Sequence, residues 1–470
     1  MDSFIATLKP QTVYLDGFDD GPSILSIPFY LWYENTVPAD VLKNALFKTL
    51  EEFPILVGQL KTGSNLRSFV VIDKNHLNIP EYTDSFCNVH FQTLKDANFD
   101  VSLLPVDYSL ACKCPAPRGF FGNCLKLAEF HVLRMKDNSG MCIFASISHT
   151  LFDGYAYCSF MKRWADISKS IMESQNPKST VGFRVSEREF VYDRAILETA
   201  RERDCDVLEP ELCEAFSNST IISRWIAWFS PGLRGRIFRY MLSSPGIRNY
   251  YVSLSSSGLE HLAQSIQPFV EPDISYISTN DIITALGTVL FAQALHKTGR
   301  LNEKTPFLTN IIADIRPRVK RLLNANYVGN AALIKMVVSP LELLLEQSGP
   351  KILAAVACKV RRAINGLSEQ YCEQTGHLFN KYPGAYINLD MQITTGQNAV
   401  VSTNHTRFNY YEMDFGSGEP ELVRPAFLIF ENDFVIMPTR SGVDGYELAF
   451  TMVPEVAKAM MEDEYWQYIC

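Results

Sequence analysis

Apolar positions follow two spacings along the chain, one strand-like and one helix-like. Ser26–Tyr33 is a short aromatic and apolar run and predicts a strand. Helical spacing follows over 38–53, through Val41, Leu42, Leu46, Leu50 and Phe53, and Pro38 suits a helix start. Ser68–Ile72 and 125–135 predict strands. Met141–Ser148 predicts a strand with one deeply apolar face, made by Met141, Ile143, Ala145 and Ile147, and 155–172 predicts a helix. In the second half, strands are expected at 250–254, 307–315, 332–338, 400–404, 426–430, 434–439 and 447–453. Helices are expected at 256–264, 280–295, 340–367 and 454–463, with Ser278 or Thr279 capping the second of them. Strands interleaved with helices in both halves imply α/β layers.

Residues 173–250 break this pattern. A charged stretch over 184–206 gives way to an apolar, basic one over 221–248. The expected organisation is an N-terminal domain over 1–185, a crossover over 186–249 and a C-terminal domain over 250–470. Trp225, Trp228, Phe229 and Phe238 in the crossover either pack against the body, as aromatics at helical spacing usually do, or form a lid or a partner face.

A chain of 470 residues, 47% hydrophobic and 20% charged, can bury large cores without disulfides or metals. The formal net charge of −9 argues against nucleic acid or an anionic membrane as the main partner. A local basic pocket for an anionic ligand remains compatible with it. The 11 cysteines are scattered and odd in number, as buried thiols of a reducing compartment are. The tightest group, Cys112, Cys114 and Cys124, lacks the Cys-x2-Cys spacing of zinc sites, so no metal is expected. No secretory signal and no apolar run of membrane-spanning length is present, and the cytosol is the default compartment.

Walker loops, Gly-x-Ser-x-Gly elbows, His-Glu-x-x-His and Gly-x-Gly-x-x-Gly are absent. The informative segment is Ser148-His149-Thr150-Leu151-Phe152-Asp153-Gly154, at a strand-to-helix junction. A histidine there can project into a cavity, and its ordinary pKa suits proton transfer near neutrality. Asp153 is placed to brace the turn. Of the eight histidines only His149 has Asp four residues on, but His-x-x-x-Asp alone leaves a structural and a catalytic histidine equally open.

The remaining motifs change that balance. Asp414-Phe415-Gly416-Ser417-Gly418 follows far downstream, and between them lie Ser278-Thr279-Asn280-Asp281, Asp314-Ile315-Arg316-Pro317-Arg318 and Asn326-Tyr327-Val328-Gly329-Asn330. Phe29-Tyr30, 42–46, Phe53-Pro54 and Gly58 precede them. In this order the chain resembles the BAHD family of acyl-CoA-dependent acyltransferases, most of all its fungal members such as the trichothecene-type O-acetyltransferases. It departs from the family's Asp-Phe-Gly-Trp-Gly at Ser417.

The resemblance implies a monomer of two similar chloramphenicol-acetyltransferase-like α/β domains with a channel between them. Acyl-CoA, with acetyl-CoA expected, would be a co-substrate rather than a bound cofactor, and a small alcohol or amine the acceptor. His149 would be the general base, and transfer direct, with no acyl-enzyme. The tetrahedral oxyanion needs a fixed donor. By its spacing from the second signature Thr403 is the candidate. His405 stands where relatives carry an indole and either donates a ring N–H or lines the pocket. Asp153 would turn away and pair with Arg316, while Gly154, Asp414, Gly416 and Gly418 would be structural. Ser278, Thr279 and Arg318 are candidate CoA contacts, with helix capping the competing role for the first two. Two other activities fit the scaffold: condensation with a carrier-protein-bound donor, and binding without catalysis.

Overall fold

The computed structural model describes residues 2–19, 26–64, 67–104, 125–175, 190–192, 194, 246–320, 323–345, 349–381, 398–426, 431–463 and 465–466. Apart from 190–192, 194 and 246–249, the crossover lies outside the described residues, as do its aromatic cluster, Cys112, Cys114, Cys124 and most of 426–430.

The strands, in chain order, are β1 (Gln11–Tyr14), β2 (Ser26–Tyr33), β3 (Gln59–Thr62), β4 (Ser68–Ile72), β5 (Glu81–Phe86), β6 (Ala128–Arg134) and β7 (Met141–Ser148). They continue with β8 (Arg248–Leu254), β9 (Phe307–Asp314), β10 (Ala332–Ser339), β11 (Ala399–Asn404), β12 (Leu422–Pro425), β13 (Asp433–Pro438) and β14 (Tyr446–Met452). Among the described residues they form three mixed or antiparallel sheets, ordered β1-β4-β3, β12-β2-β7-β6-β5 and β10-β9-β11-β13-β14-β8.

The five-stranded sheet is buried on both faces, and the period-2 alternation divides its side chains between two cores. From β2 and β7, Ile27, Phe29, Leu31, Tyr33, Met141, Ile143, Ala145 and Ile147 face the helices Ala39–Glu52 and Gly154–Ser174. The opposite positions, Tyr30, Trp32, Cys142 and Phe144, are not solvent-facing. They pack against Phe91, Leu94 and Phe99 of the short Phe91–Asp96 helix and the turn after it. The two long helices are joined by Trp164 Nε1 donating to the Leu42 carbonyl at 2.9 Å and by a two-pronged Arg163–Glu52 pair.

The six-stranded sheet packs on the Thr279–Lys297 helix, whose residues from Asp281 to Leu295 are all buried. A Cβ at Gly287 would stand 2.7 Å from Phe434 Cε1, so glycine is what lets β13 approach this helix. The expected single helix over 340–367 is instead two, Leu341–Leu345 and Pro350–Asn365, because Pro350 opens a new first turn where it needs no N–H. The unexpected β12 comes from the C-terminal half, yet it pairs antiparallel with β2 and closes the edge of the five-stranded sheet. Its Pro425 sits at the strand's end, against Phe29.

Candidate active site between the sheets

β7 ends at Ser148, and 149–153 turn directly into the Gly154–Ser174 helix. Asp153 caps that helix, its Oδ1 accepting from Ala156 N at 2.9 Å. Its other bonds run away from the turn. Arg316 reaches both oxygens, Nη1 to Oδ2 at 2.7 Å and Nη2 to Oδ1 at 3.1 Å, and Ala331 N donates to Oδ2 at 3.0 Å. The remaining Arg316 donors go to Asp314 Oδ1 and to the carbonyls of Tyr327 and Gly329. All five N–H groups of Arg316 are thus occupied, so it braces the turn and has none left for a ligand. Burial alone would raise the Asp153 carboxyl, but Arg316 and the two main-chain N–H groups outweigh it and hold the group below the usual carboxylate range.

A second brace lies behind the same turn. Asn330 Nδ2 donates to the carbonyls of His149 (2.8 Å) and Thr150 (3.0 Å) and to Asp19 Oδ1 (3.0 Å). Arg194 pairs with Asp19 and donates through Nη2 to the Leu151 carbonyl at 2.8 Å. The chain's first residues, the start of its crossover and its second half therefore all grip the His149 turn.

The gripped histidine faces a cavity of about 680 Å³ between the two larger sheets. Strand alternation selects most of the lining. Ile312 and Asp314 of β9, Ala332 and Ile334 of β10, Val401 and Thr403 of β11, and Asp433 and Val435 of β13 face it. Ser402, between Val401 and Thr403, turns the other way to bond Thr284 at 3.0 Å. Ser26 to Phe29 of β2 and Pro425 of β12 close the opposite wall.

The structure thus places His149, Thr403, His405, Ser278, Arg316, Arg318, Asp153 and Gly154 on one cavity. Thr279 is not on its wall. Ser278 is the helix cap, in a reciprocal capping box with Asp281. Arg361 pairs with Asp281, donates to the Ser278 hydroxyl at 2.7 Å and lies 4.4 Å over the Tyr276 ring. Tyr276 is 58% exposed, so the cavity opens to solvent at this helix start. Arg318 and Arg407 also line it, and neither has a carboxylate partner among the described residues.

Burial lowers the His149 pKa below the ordinary imidazole value, and its own main chain, Asp153 and Asn330 oppose this without cancelling it. Its Nδ1 has no hydrogen-bond partner among the described residues. The ring is neutral at neutral pH, as a proton acceptor must be. His405 follows the end of β11, its N–H held by the Ile436 carbonyl at 2.8 Å. Its ring lies 6.0 Å from Phe29 and 4.9 Å from Phe408, and burial, reinforced by His149, pushes its pKa down to about 3. A Cβ on Gly154 would fall 2.7 Å from Phe408 Cε2, so only glycine lets that aromatic wall meet the helix start.

Asp414, Gly416 and Gly418 stand off the cavity. Asp414 Oδ1 accepts from the N–H groups of both glycines at 2.8 Å, Oδ2 pairs with Lys169 at 2.8 Å, and Ser168 donates to the Phe415 carbonyl at 2.7 Å. The motif clamps the helix that begins at His149's turn. Asn330, Arg194, Asp19, Arg361, Phe408 and Tyr410 were given no role from the sequence. Asn330 alone sat in a quoted motif, and the others carry no local signal, since their partners lie far away in the chain.

These features define a mixed α/β protein with a neutral histidine in a cavity between its two larger sheets. The Transferase family model matches residues 29–199 and 248–466, and the chain belongs to this family, the BAHD acyltransferases. In fold it is similar to TRI101 of F. graminearum, solved in complex with coenzyme A and T-2 mycotoxin, with a TM-score of 0.74, 15% identity and coverage of 98% of this chain and 99% of that one. In sequence it is 24% identical over 213 residues to the O-acetyltransferase pboB of Aspergillus ustus, 42% of this chain and 43% of that protein's length. It is 23% identical over 456 residues to alcohol acyl transferase 1 (allele GSd) of Malus domestica, covering 94% of this chain and 87% of that protein. Among the described residues no helix is long and apolar enough to cross a membrane.

Proposed function

We propose that the protein transfers an acyl group, acetyl in the simplest case, from coenzyme A directly to a hydroxyl of a small acceptor. The observation that carries this is the neutral imidazole of His149, gripped by its main chain on two sides and facing Thr403 and His405 across one cavity. His149 takes the proton of the acceptor hydroxyl as the oxygen attacks the thioester carbonyl. The carbonyl π electrons move to oxygen, and the oxyanion accepts a hydrogen bond from the Thr403 hydroxyl, with His405 beside it. Collapse restores the carbonyl and expels the thiolate of CoA, which takes the proton held on His149. No group on the protein is acylated.

The open end beside Tyr276 is the donor's entrance in this scheme. The capped start of the Thr279–Lys297 helix, with Arg318, supplies N–H dipoles and positive charge for the phosphates of CoA. The apolar wall of Phe29, Phe408, Ile334 and Val401 suits a compact, largely apolar acceptor whose hydroxyl alone needs polar company.

Calorimetric titration with acetyl-CoA, of the wild-type protein and of His149→Ala, followed by a thiol-release screen of alcohols and amines, tests this. Both forms are expected to bind, and only the wild type to turn over. Failure of the folded wild type to bind any CoA species defeats the proposal and favours a donor carried on a protein. Faster turnover of amines than of alcohols makes the enzyme an N-acyltransferase.

A further inference from the structure

We infer that Tyr410 fixes the tautomer of His405, so that this ring presents an Nε2–H to the cavity as a donor to the transferring acyl oxygen. The inference deepens the acyl-transfer proposal and rests on it for its chemical meaning. Tyr410 Oη lies 2.9 Å from His405 Nδ1, and both side chains are buried.

The two side chains share one hydrogen bond, and relative donor and acceptor strength decides its direction. Burial raises the Tyr410 phenol well above its ordinary value, so it keeps its hydrogen. His405 is neutral and carries one hydrogen on one of two nitrogens. The sp2 nitrogen of a neutral imidazole is a better acceptor than a phenol oxygen, and a phenol O–H is a better donor than a neutral imidazole N–H. The Tyr410 hydroxyl therefore donates to Nδ1. With Nδ1 taken as an acceptor, the ring hydrogen is on Nε2. That nitrogen lies 3.5 Å from where a Cβ on Gly154 would stand, beside the turn that carries His149.

The direction of this bond sets the sign of the effect on catalysis. With Nε2–H facing the cavity, His405 stabilises negative charge on the acyl oxygen. With the opposite tautomer it would present a lone pair and repel that charge. The two histidines of the cavity thereby take opposite roles, His149 accepting a proton and His405 donating a hydrogen bond. Tyr410 touches no reacting atom and is a positioning residue.

Nitrogen-15 spectra of the full-length protein labelled at histidine test this, because one- and two-bond proton couplings distinguish the ring tautomers. The His405 signal is expected to show a protonated Nε2 and a bare Nδ1 in the wild type, and a mixture of tautomers in Tyr410→Phe. In kinetics, Tyr410→Phe should lower kcat roughly ten- to a hundredfold and leave KM for CoA unchanged, less than the roughly hundred- to thousandfold cost of losing an oxyanion donor outright, because some of the rings keep the donating tautomer. Added to His405→Asn it should cost nothing more, since a residue that acts only through another has no effect once that one is gone. A protonated Nδ1 in the wild type overturns the inference, and so does a full additional loss in the double variant. The spectra need no turnover, so the tautomer is read even if acyl transfer from CoA fails.

Discussion

The side-chain amide of Asn330 and the carbonyl oxygen of His149 lie 2.8 Å apart, 181 positions away from one another in the chain. The bond holds the main chain of His149, not its ring. Asn330→Asp replaces that donor with a carboxylate beside two carbonyl oxygens and Asp19. The expected loss is about 1–3 kcal/mol of stability, the cost of leaving buried polar groups without partners. Turnover should also fall as the turn shifts. Chemical denaturation beside steady-state kinetics checks both, and unchanged kcat at unchanged stability contradicts the bracing role.

Removing Asp153 takes away the two-pronged partner of the buried Arg316 guanidinium and leaves it only the partly exposed Asp314 carboxylate. Asp153→Ala should cost about 3–5 kcal/mol and abolish most activity through collapse of the turn. Normal turnover in a well-folded Asp153→Ala variant would sink this prediction. The pair also sets an acid sensitivity. The folded carboxyl titrates below its unfolded value, so its contribution is complete above the unfolded carboxylate range. It drains away as pH falls through the folded one.

Turnover should hold steady from neutral pH downward and fall only below the ordinary imidazole value of 6.5, because the active form of His149 is neutral and its pKa is lowered. Stability follows the same side of the scale. Unfolded imidazoles take protons near 6.5 while buried His149 and His405 resist, so both favour the folded state above that pH and oppose it as pH falls toward about 3. A pH–rate profile with its acid limb at or above 6.5 refutes the assignment of His149.

Gly416 has a φ of +104°, and a Cβ there would lie 2.9 Å from Met172 Cγ. Gly416→Ala therefore meets both backbone strain and a crowded helix. About 1–3 kcal/mol should be lost, read as a lower melting temperature. At a temperature where the variant is folded, KM for CoA should stay near the wild-type value, since this loop stands off the cavity.

The long periodic segments were legible because burial acts on them directly. Ser26–Tyr33, Met141–Ser148 and the Thr279–Lys297 helix each appear where the apolar pattern puts them. β5 and β12 were not legible. The first has no fully buried residue, and the second contains Arg and Pro and makes sense only beside β2. The site divides in the same way. His149, Thr403, His405, Asp153 and Arg316 stand in or beside motifs. Tyr410, Arg194 and Arg361 act through partners that only the folded chain brings near. Ser278 shows how far a local rule reaches, since capping preference offered Ser278 or Thr279 and the folded chain uses Ser278.

β12 also constrains how the protein is made. The strand that seals β2 is translated after every other strand of the five-stranded sheet, nearly four hundred residues behind β2 itself. Until then the growing polypeptide holds a bare, aromatic edge that invites pairing with other nascent chains. The first half therefore completes its sheet only after synthesis of the second, and chaperone protection is most needed in that interval. A chimera that grafts a relative's C-terminal half onto this N-terminal half imports a foreign seal along β2. Its junction tolerates the exchange only if Leu422–Pro425 travels with its own sheet.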